Sequence, residues 1–398
     1  MNLLFIHETE YINKMIFEYQ IIPEILATRG HRVFVIDYPT DWSKDKAKPL
    51  FSMQPEVIRN VSRAKKPGTI TLIRPVFIRI PVISRLSAFL SYFSLINTVI
   101  DQHQIDVIIL LAVPTNGIQT LLAARKKGIP VYFRLLDVLH RLVPHGLLRW
   151  PAYLIEKTVY RHVNRLSAIT PRLRDYAITM GANPETSSYL PSGSDADLFY
   201  YQQKDSVLMR KYGITEDDIV LLFAGTLYNF SGLGKIISAL PQELAKEIHL
   251  KLLIVGAGEQ EGQLKTQVRR LSLEDRVVFT GFVNYPELPR YINLADVCIN
   301  PFEINQTTNL IFPGKIYQYL ACEKPVIASK LQGMLDIFSV NDLESGVYYY
   351  DTVEEFFELV HGINRHRVKD PNPSLQEITI VLEEELEDLC SKKPGGSA

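Results

Sequence analysis

The residues from Pro313 to Gln318 combine the side chains that are best suited to hold a charged ligand. Pro313 and Gly314 follow a polar loop, 305–309, and predict the start of a helix whose first turn carries Lys315. Unpaired backbone N–H groups at a helix start favour an anion. Gln318, three residues further on, shares a helix face with Lys315. The pattern predicts that Lys315 binds a diphosphate and Gln318 binds sugar hydroxyls; the alternative is a helix face in contact with solvent only.

Two glycine-bearing turns precede predicted helices in the same half of the sequence. The first follows the apolar run Leu221–Gly225 and continues into small residues at 231–234. Such a loop suits a phosphate, or else is a tight turn chosen for its geometry. The second, LLIVGAGEQEG at 252–262, departs from the dinucleotide fingerprint G-x-G-x-x-G because Glu261 occupies its last glycine position. Glu259 and Glu261 would also repel a pyrophosphate, so we do not predict an NAD-type cofactor.

The composition of the 398-residue chain indicates a globular protein of about two domains. Hydrophobic residues make up 46% and charged residues 22%, which excludes a disordered chain. The formal net charge of −1 argues against a bulk nucleic-acid binder. Residues 1–200, however, carry 24 Lys and Arg against 16 Asp and Glu, whereas residues 201–398 carry 19 against 28. We therefore expect the two halves to face different partners.

Short β-rich runs alternate with helical patterns along almost the whole chain, and the alternation restarts after residue 200. This order predicts an α/β fold of two doubly wound, Rossmann-like domains with mainly parallel sheets. Proline, glycine and small polar residues interrupt both patterns at the join. The predicted segments are a first domain at 1–190, a linker at 191–205, a second domain at 206–370, a helix at 371–391 that packs back on the first domain, and a tail at 392–398.

Three stretches of the second half resemble the nucleotide-binding half of family-4 glycosyltransferases. They are AGTL at 224–227, LLIVGAGEQEGQL at 252–264 followed by DRVVFTGFV at 275–283, and above all FPGKIYQYLACEKPVIAS at 312–329. The likeness extends over about 150–340 and is weak over the first 130 residues. It implies the GT-B fold, with an N-terminal acceptor-binding domain and a C-terminal nucleotide-sugar-binding domain that face each other across a cleft. It also implies a retaining transfer of sugar.

The resemblance implies a role for each matching residue of the second domain. Lys315 would contact the diphosphate, and Gln318 stands where the family has a ribose-binding glutamate. Thr226 and Ser231 stand where many members have an arginine and a lysine on the leaving phosphate, so Lys315 is the main cationic candidate. Phe282 and Val283 would lie along the base, and UDP-sugars are favoured over GDP-sugars. The implied donor site consists of Gly225, Thr226, Leu227, Ser231, Gly256, Phe282, Val283, Thr307, Thr308, Gly314, Lys315 and Gln318.

The implied sugar-facing residues of the first domain follow two of its predicted strands. Relatives place a histidine, often followed by an aspartate, after one of these strands, but Leu136 occupies the place of the histidine. Asp137 and His140 are the substitutes, and with Lys315 they form the expected catalytic set. His7 and Tyr11 follow the first strand and are expected to line the mouth of the cleft on the acceptor side.

Neither a metal nor a cofactor is expected beyond the nucleotide-sugar co-substrate. Asp195 and Asp197 spell D-x-D, a metal–diphosphate motif of a different glycosyltransferase fold, but their place at the join predicts a turn. Cys298, Cys322 and Cys390 have neither metal-ligand spacing nor an even count, which is typical of free thiols in a reducing cytosol.

We expect no signal peptide and no membrane-spanning helix. His7, Glu8 and Glu10 interrupt the first apolar run at once. Arg79 and Arg85 interrupt the stretch at 72–97, which falls short of the ~20 apolar residues that a span needs.

A basic segment of the first half predicts contact with an anionic membrane surface. Arg59–Arg85 carries seven basic residues and no acidic one, interleaved with Ile, Val, Phe and Pro, and 134–165 adds further basic and aromatic residues. Such surfaces bind anionic lipids through charge and inserted apolar side chains. The alternative is an ordinary solvent-exposed face, and nucleic acid is the least favoured partner. The expected location is the cytoplasmic, inner face of the membrane.

The expected function is therefore metal-independent, retaining sugar transfer to a hydroxyl of a lipid-linked glycan or glycolipid, in the synthesis of cell-surface polysaccharide or glycolipid. Two alternatives remain. The uncharged Thr226, Ser231 and Gln318 would fit a weakly active or inactive partner of a membrane-bound glycan synthase. A nucleotide-sugar epimerase would share the fold and the donor, but its carboxylate and histidine set is not apparent.

Overall fold

The computed structural model describes residues 1–13, 16–39, 54–80, 83–111, 114–143, 146–246, 249–306, 308–340, 343–363 and 367–392. These residues form two compact units. Unit 1 comprises the chain up to Ser192 together with the C-terminal segment from Leu375, and unit 2 comprises Gly193–Ser374.

Unit 1 is built on an eight-stranded sheet with the order β3-β4-β2-β1-β5-β6-β7-β8. Every neighbouring pair is parallel except β3 and β4, which are antiparallel. The central strands are apolar runs buried on both faces, as parallel sheets covered by helices require. The strands are β1 Asn2–Ile6, β2 Arg32–Ile36, β3 Glu56–Val61, β4 Ile70–Arg74, β5 Val107–Leu110, β6 Val131–Leu135, β7 Arg165–Ala168 and β8 Ser187–Tyr189.

Six helices cover this sheet. They are α1 Glu18–Thr28, α2 Ile83–His103, α3 Gly117–Lys127, α4 Gly146–His162, α5 Pro171–Thr179 and α13 Leu375–Ser391. The last of these, α13, packs against α1 within unit 1, where Glu383 accepts hydrogen bonds from Arg29 and His31.

Unit 2 is a six-stranded, wholly parallel sheet with the order β11-β10-β9-β12-β13-β14. This order corresponds to the 3-2-1-4-5-6 arrangement of doubly wound nucleotide-binding folds. The strands are β9 Ile219–Ala224, β10 Leu250–Val255, β11 Val277–Gly281, β12 Val297–Asn300, β13 Val326–Ser329 and β14 Val347–Tyr350. The helices are α6 Ser206–Lys211, α7 Leu233–Leu244, α8 Glu261–Arg270, α9 Leu288–Ile292, α10 Lys315–Ala321, α11 Gln332–Leu335 and α12 Val353–Gly362.

The segment at 193–205, most of the expected linker, packs as part of unit 2. The Asn293 side chain accepts a hydrogen bond from the Gln202 N–H and donates one to the Tyr200 carbonyl. Asp205 caps α6 through the N–H groups of Val207 and Leu208. Asp195 accepts from the Asp197 N–H, which is the turn expected for the D-x-D motif.

Helix α2 differs from the expectation for membrane spans. It begins after Arg79, so that only Arg85 of the two arginines lies within it, and by length and composition it could cross a membrane. One face of this helix is buried inside unit 1, with Tyr92, Ile96 and Ile100 among its core residues.

Candidate active site

In unit 2 the strand order reverses between β9 and β12, and doubly wound folds bind ligands beside the carboxyl ends of the strands at such a point. Gly225 follows β9, and Pro301 and Phe302 follow β12. The two loops touch at Gly232, which has a φ of +71° and whose added Cβ would lie 1.6 Å from the Pro301 carbonyl oxygen. Only glycine allows this approach, so the small-residue loop after β9 serves to bring the two strand ends together.

Lys315 lies at this reversal point, with its ammonium group between two aromatic rings. Its Nζ is 3.6 Å from the ring centroid of Phe223 and 4.4 Å from that of Phe302. The Nζ is buried and has no hydrogen-bond partner in the described part of the chain. Burial lowers the pKa of Lys315 well below its usual range. A Cβ added at Gly225 would lie 3.7 Å from the Nζ, so the amine faces the loop after β9.

Burying an amine without a counter-ion costs free energy unless a ligand supplies the missing hydrogen-bond acceptor. The two ring faces attract a cation, but they cannot accept hydrogen bonds as an anion would. Helix α10, which begins at Lys315, has only seven residues. We therefore attribute the anion preference of this site to the lysine side chain rather than to the helix start.

The structure assigns three of the expected donor-binding residues to internal packing. An added Cβ at Gly256 would lie 2.0 Å from the Gly225 carbonyl oxygen, so this glycine permits the crossing of two backbones. Leu227 is fully buried in the core of unit 2. Ser231 is also fully buried, and its hydroxyl donates to the Gln260 side chain at 2.7 Å. These positions hold the loops in place and do not offer polar groups to a ligand.

Thr308 likewise serves its own loop. Its buried hydroxyl donates to the Glu303 carbonyl at 2.5 Å and accepts from the Asn305 N–H at 2.9 Å. The neighbouring Thr307 lies outside the described residues.

The remaining expected donor residues of unit 2 are accessible. Phe282 is 68% exposed and follows β11, where it could stack on a base. Half-buried positions at the strand ends and on α10 are Thr226, Val283, Gly314 and Gln318. The structure thus leaves Gly225, Lys315 and these accessible residues as the candidate donor site.

In unit 1 the strand order reverses between β1 and β5, and a mainly apolar groove of about 650 Å³ lies beside these strand ends. His7 follows β1 and Leu111 follows β5, and both line this groove. Its walls come from the first halves of α2 and α4, through side chains such as Phe89 and Leu148. We call it the α2–α4 groove.

His7 is fully buried at the polar end of the α2–α4 groove, where Glu8 accepts a hydrogen bond from Arg85. Burial lowers the pKa of His7 to about 4, so the ring is neutral near pH 7. Neither ring nitrogen meets a hydrogen-bond partner in the described part of the chain. His7 also contacts Tyr19, with ring centroids 5.6 Å apart. Tyr19, in the first turn of α1, lines the same groove and was not expected from the sequence.

Asp137 follows β6 and is a carboxyl group without a hydrogen-bond partner among the described residues. Burial raises its pKa to about 7. Burial, and after it the Asp137 charge, raises the pKa of the Tyr19 hydroxyl. Asp137 therefore holds its proton on part of the molecules near neutral pH, which is unusual for an aspartate.

His140 is oriented by a buried carboxylate. Glu156, on α4, accepts hydrogen bonds from the His140 backbone N–H at 3.0 Å and from the His140 Nδ1 at 2.8 Å. The hydroxyls of Tyr160 and Tyr176 donate to the other oxygen of Glu156. With Nδ1 engaged, Nε2 is the ring nitrogen left for a ligand.

Tyr11 does not line a cleft, which corrects the expectation. It is fully buried; its hydroxyl donates to Glu24 at 3.0 Å and its N–H to Asp37 at 2.8 Å. The sequence shows only that Tyr11 follows the first strand, whereas its partners Glu24 and Asp37 lie 13 and 26 residues further along the chain.

The basic segment Arg59–Arg85 is partly engaged by contacts inside unit 1. Arg74 is buried and pairs with Asp37 and Glu10, and Arg85 pairs with Glu8. Arg63 donates to the Tyr11 carbonyl, and Lys65 is buried. Four of the seven basic side chains are thus ion-paired, hydrogen-bonded or buried within the unit. The segment therefore does not form the continuous basic face that its composition indicates.

Exposed apolar side chains lie instead on the first halves of α2 and α4. Leu147 is 93% exposed, Leu90 71% and Trp150 66%. Arg149 is also exposed on the same turn of α4. Large exposed apolar patches of this kind mark contact surfaces.

Two glycosyltransferase family models match the chain: "Glycosyl transferase 4-like domain" over residues 24–193 and "Glycosyl transferases group 1" over residues 218–363. Among curated relatives, the GDP-mannose-dependent monoacylated alpha-(1-6)-phosphatidylinositol monomannoside mannosyltransferase of Corynebacterium glutamicum is 30% identical over 40% of this chain and 42% of its own length. The alpha-monoglucosyldiacylglycerol synthase of Streptococcus pneumoniae is 25% identical over 65% of this chain and 59% of its own length. The chain thus spans less than two thirds of the length of these relatives.

Among solved structures, that of HepE from Anabaena in complex with UDP and glucose superposes with a TM-score of 0.67 at 16% identity, covering 97% of this chain and 99% of that one. At this identity the likeness concerns the fold. Together with the two matched family models, it confirms the expected family and fold class. The chain belongs to the family-4 glycosyltransferases, and its two Rossmann-like units have the GT-B fold.

Proposed function

We propose that this protein transfers a sugar, with retention, from a nucleotide-diphosphate sugar to a hydroxyl of a lipid-linked glycan or glycolipid. UDP-sugars are preferred to GDP-sugars as donors, no metal takes part, and the reaction serves cell-surface polysaccharide or glycolipid synthesis. The observation that carries the proposal is Lys315: a buried amine between two rings, at the strand-order reversal of unit 2, without a counter-ion among the described residues.

A diphosphate would supply the negatively charged hydrogen-bond acceptor that the Lys315 amine lacks. Cleavage of the bond between the sugar and the diphosphate places negative charge on the leaving oxygen, and a preorganised cation stabilises that charge in the transition state. Two sources of positive charge that many relatives have are replaced here by Thr226 and by the internally bonded Ser231. Lys315 is therefore the side chain that stabilises the charge of the leaving diphosphate.

The α2–α4 groove supports a lipid-linked acceptor. Its lining is apolar along α2 and α4 and polar only at the His7 end. An acceptor with a hydrocarbon chain would place the chain along the apolar walls and its polar head beside His7. The names of the two curated relatives above, which include a monoacylated phosphatidylinositol mannoside and a monoglucosyldiacylglycerol, fit acceptors of this class.

The exposed patch beside the groove supports peripheral attachment to the inner face of the cytoplasmic membrane. Leu90, Leu147 and Trp150 would enter the headgroup region, and Arg149 would meet anionic lipid. In this proposal the contact with the membrane is made by side chains on the first halves of α2 and α4 and not by the segment 59–85.

A transfer assay tests the proposal. Radiolabelled UDP-sugars and GDP-sugars are each incubated with the protein, without metal, and with either diacylglycerol-based or polyprenyl-linked acceptors in micelles or the matching soluble sugars. We expect labelled lipid product from one UDP-sugar and none with Lys315→Ala. Binding of UDP without transfer to any acceptor would favour the inactive-partner alternative, and absence of UDP and GDP binding would overturn the proposal.

A matched pair of leucine variants tests the acceptor site. Leu148 in the groove and Leu122 on α3 are both 55% exposed. Leu148→Gln should raise the KM for the lipid acceptor without changing UDP binding, whereas Leu122→Gln should change neither. Equal acceptor KM values for the two leucine variants would contradict the assignment of the groove.

Sedimentation with vesicles tests attachment, since Leu147→Gln with Trp150→Ala should reduce the bound fraction.

A further inference from the structure

A second pocket of unit 1 lies at the edge of the sheet opposite to the strand ends that carry His7 and Asp137. Its volume is about 630 Å³. It is lined by residues at the beginnings of β2 and β4, by β3 and by the last turn of α2. Because ligands of doubly wound folds bind at the carboxyl ends of strands, this pocket is not part of the site described above. We call it the β2–β3 pocket.

The floor of the β2–β3 pocket is the ring of Phe34. The His103 ring stacks on Phe34, with centroids 4.1 Å apart and an interplanar angle of 20°. The Arg32 guanidinium lies over the same ring, 5.7 Å from its centroid. Arg59 lines the pocket from the neighbouring β3. Two guanidinium groups and an imidazole therefore surround one aromatic surface.

A β-bulge brings Arg59 to this place. The β3–β4 register shifts between Ile58 and Val61, so that Arg59 and Asn60 together face one residue of β4, Thr71. Asn60 has a φ of +55°, a left-handed backbone conformation that asparagine adopts more readily than most residues other than glycine. Bulges of this kind re-aim side chains at sites.

The two guanidinium groups of the β2–β3 pocket have no carboxylate partner among the described residues. No carboxylate of the described residues forms an ion pair with Arg32, Arg59 or His103. Glu383 pairs with Arg29 and His31, and Glu56 on β3 pairs with Arg74. Burial, Arg32 and Arg59, in that order, lower the pKa of His103, which places the three groups within one electrostatic environment.

We propose that the β2–β3 pocket binds a phosphate group. Arg32 and Arg59 supply the charge-assisted hydrogen bonds that guanidinium groups form with phosphate oxygens. The pocket also contains Thr69 and Thr71, whose hydroxyls can donate to the same ligand. The phosphate group belongs either to a small soluble phosphate ester or to an anionic phospholipid.

The proposed phosphate site is separate from the proposed transfer site. Helix α2 lines the α2–α4 groove with Leu86 and the β2–β3 pocket with His103, and seventeen residues of helix span about 25 Å. A phosphate in the β2–β3 pocket can therefore be bound while the α2–α4 groove is occupied. Its effect on transfer would be regulatory.

Equilibrium dialysis against radiolabelled inorganic phosphate, at constant ionic strength, tests the proposal on the full chain. We expect wild type to bind phosphate saturably in this pocket. The affinity for that phosphate should fall at least tenfold in the double variant Arg32→Gln, Arg59→Gln. The charge-matched control Lys126→Gln, Arg174→Gln on other surfaces of unit 1 should bind normally. Lys315→Ala should also retain this phosphate, which excludes the donor site as its location. Because Arg32 and Arg59 are exposed, thermal unfolding should show that the double variant is folded.

Vesicle sedimentation distinguishes the two sources of phosphate. The comparison uses phosphatidylcholine vesicles with and without phosphatidylglycerol, in the background of Leu147→Gln and Trp150→Ala. If binding to phosphatidylglycerol depends on Arg32 and Arg59, the ligand is a lipid headgroup; if only free phosphate depends on them, it is a soluble ester. Either result supports the site. Phosphate and vesicle binding that are both unchanged in the double variant, or both absent in wild type, would overturn it.

Discussion

Arg134 and Glu18 form a fully buried ion pair that joins the central sheet of unit 1 to the start of α1. The Arg134 Nε donates to Glu18 at 2.8 Å, and its other nitrogens donate to the carbonyls of Leu190 and Pro191. Glu18 also accepts from the Ser192 hydroxyl. Since Tyr19 is the next residue and Asp137 follows the strand of Arg134, this pair positions the two groups beside the candidate acceptor site.

Loss of Arg134 should strongly destabilise unit 1. Arg134→Met leaves Glu18 buried without its charge partner, a change that typically costs about 3–5 kcal/mol. The exposed pair Arg174–Asp175 provides the control, because Arg174→Met should cost under about 1 kcal/mol. Both tryptophans, Trp42 and Trp150, belong to the first half of the sequence, so their fluorescence during urea unfolding reports on this unit. Equal midpoints for the two variants would contradict the assigned role.

Asp137 should make unit 1 less stable as the pH rises from about 4 to about 7. The pKa of its carboxyl is raised by burial to about 7 from 3.8, so the folded state binds the proton more tightly than the unfolded state in this window. Asp137→Asn removes this dependence, and its stability relative to wild type should grow by at most about 1.4 kcal/mol per pH unit. Urea unfolding at half-unit pH steps measures this difference; a constant difference across the window would be inconsistent with a buried, unpaired Asp137.

Most strands of the sheets could be predicted, and Lys315 could be selected as a candidate, because their sequence signals are local. Apolar runs between helical patterns define the parallel strands, and the segment at 312–329 carries both the lysine and the family likeness. Two strands were not predicted: β14, and β3, whose sequence EVIRNV has no apolar run and is mostly exposed.

The side-chain surroundings depend on contacts distant in sequence, and these could not be predicted. Glu156 meets His140 across 16 residues, and Phe223 and Lys315 meet across 92. The ion pairs of Arg74 and Arg85 could not be predicted for the same reason, because their partners Glu8, Glu10 and Asp37 lie near the start of the chain.

Glu156 should act as a positioning residue for His140. Glu156→Gln keeps the shape but removes the charge that holds the His140 Nδ1–H, so we expect turnover to fall at least about tenfold. The KM for the donor should not change, because Lys315 and the other donor residues belong to unit 2. The pH profile of turnover should also shift, which a purely structural role would not cause. Glu185→Gln, at an exposed carboxylate of the same unit, is the control, and equal turnover in both variants would argue against this role.

Lys315 should couple donor binding to the uptake of a proton. Burial holds its pKa well below the usual range, and a bound diphosphate would raise that pKa by pairing with the charged form. Between the free and bound pKa values, UDP binding takes up a proton, so UDP affinity should fall as the pH rises through that interval, by up to about tenfold per pH unit. Calorimetric titration in two buffers of different ionisation enthalpy measures the proton uptake directly.

Lys315→Ala should bind UDP weakly and without this pH dependence. The control Lys265→Ala, at an exposed lysine of α8 that pairs with Glu261, should behave as wild type. UDP binding of equal strength in the two variants would remove Lys315 from the donor site.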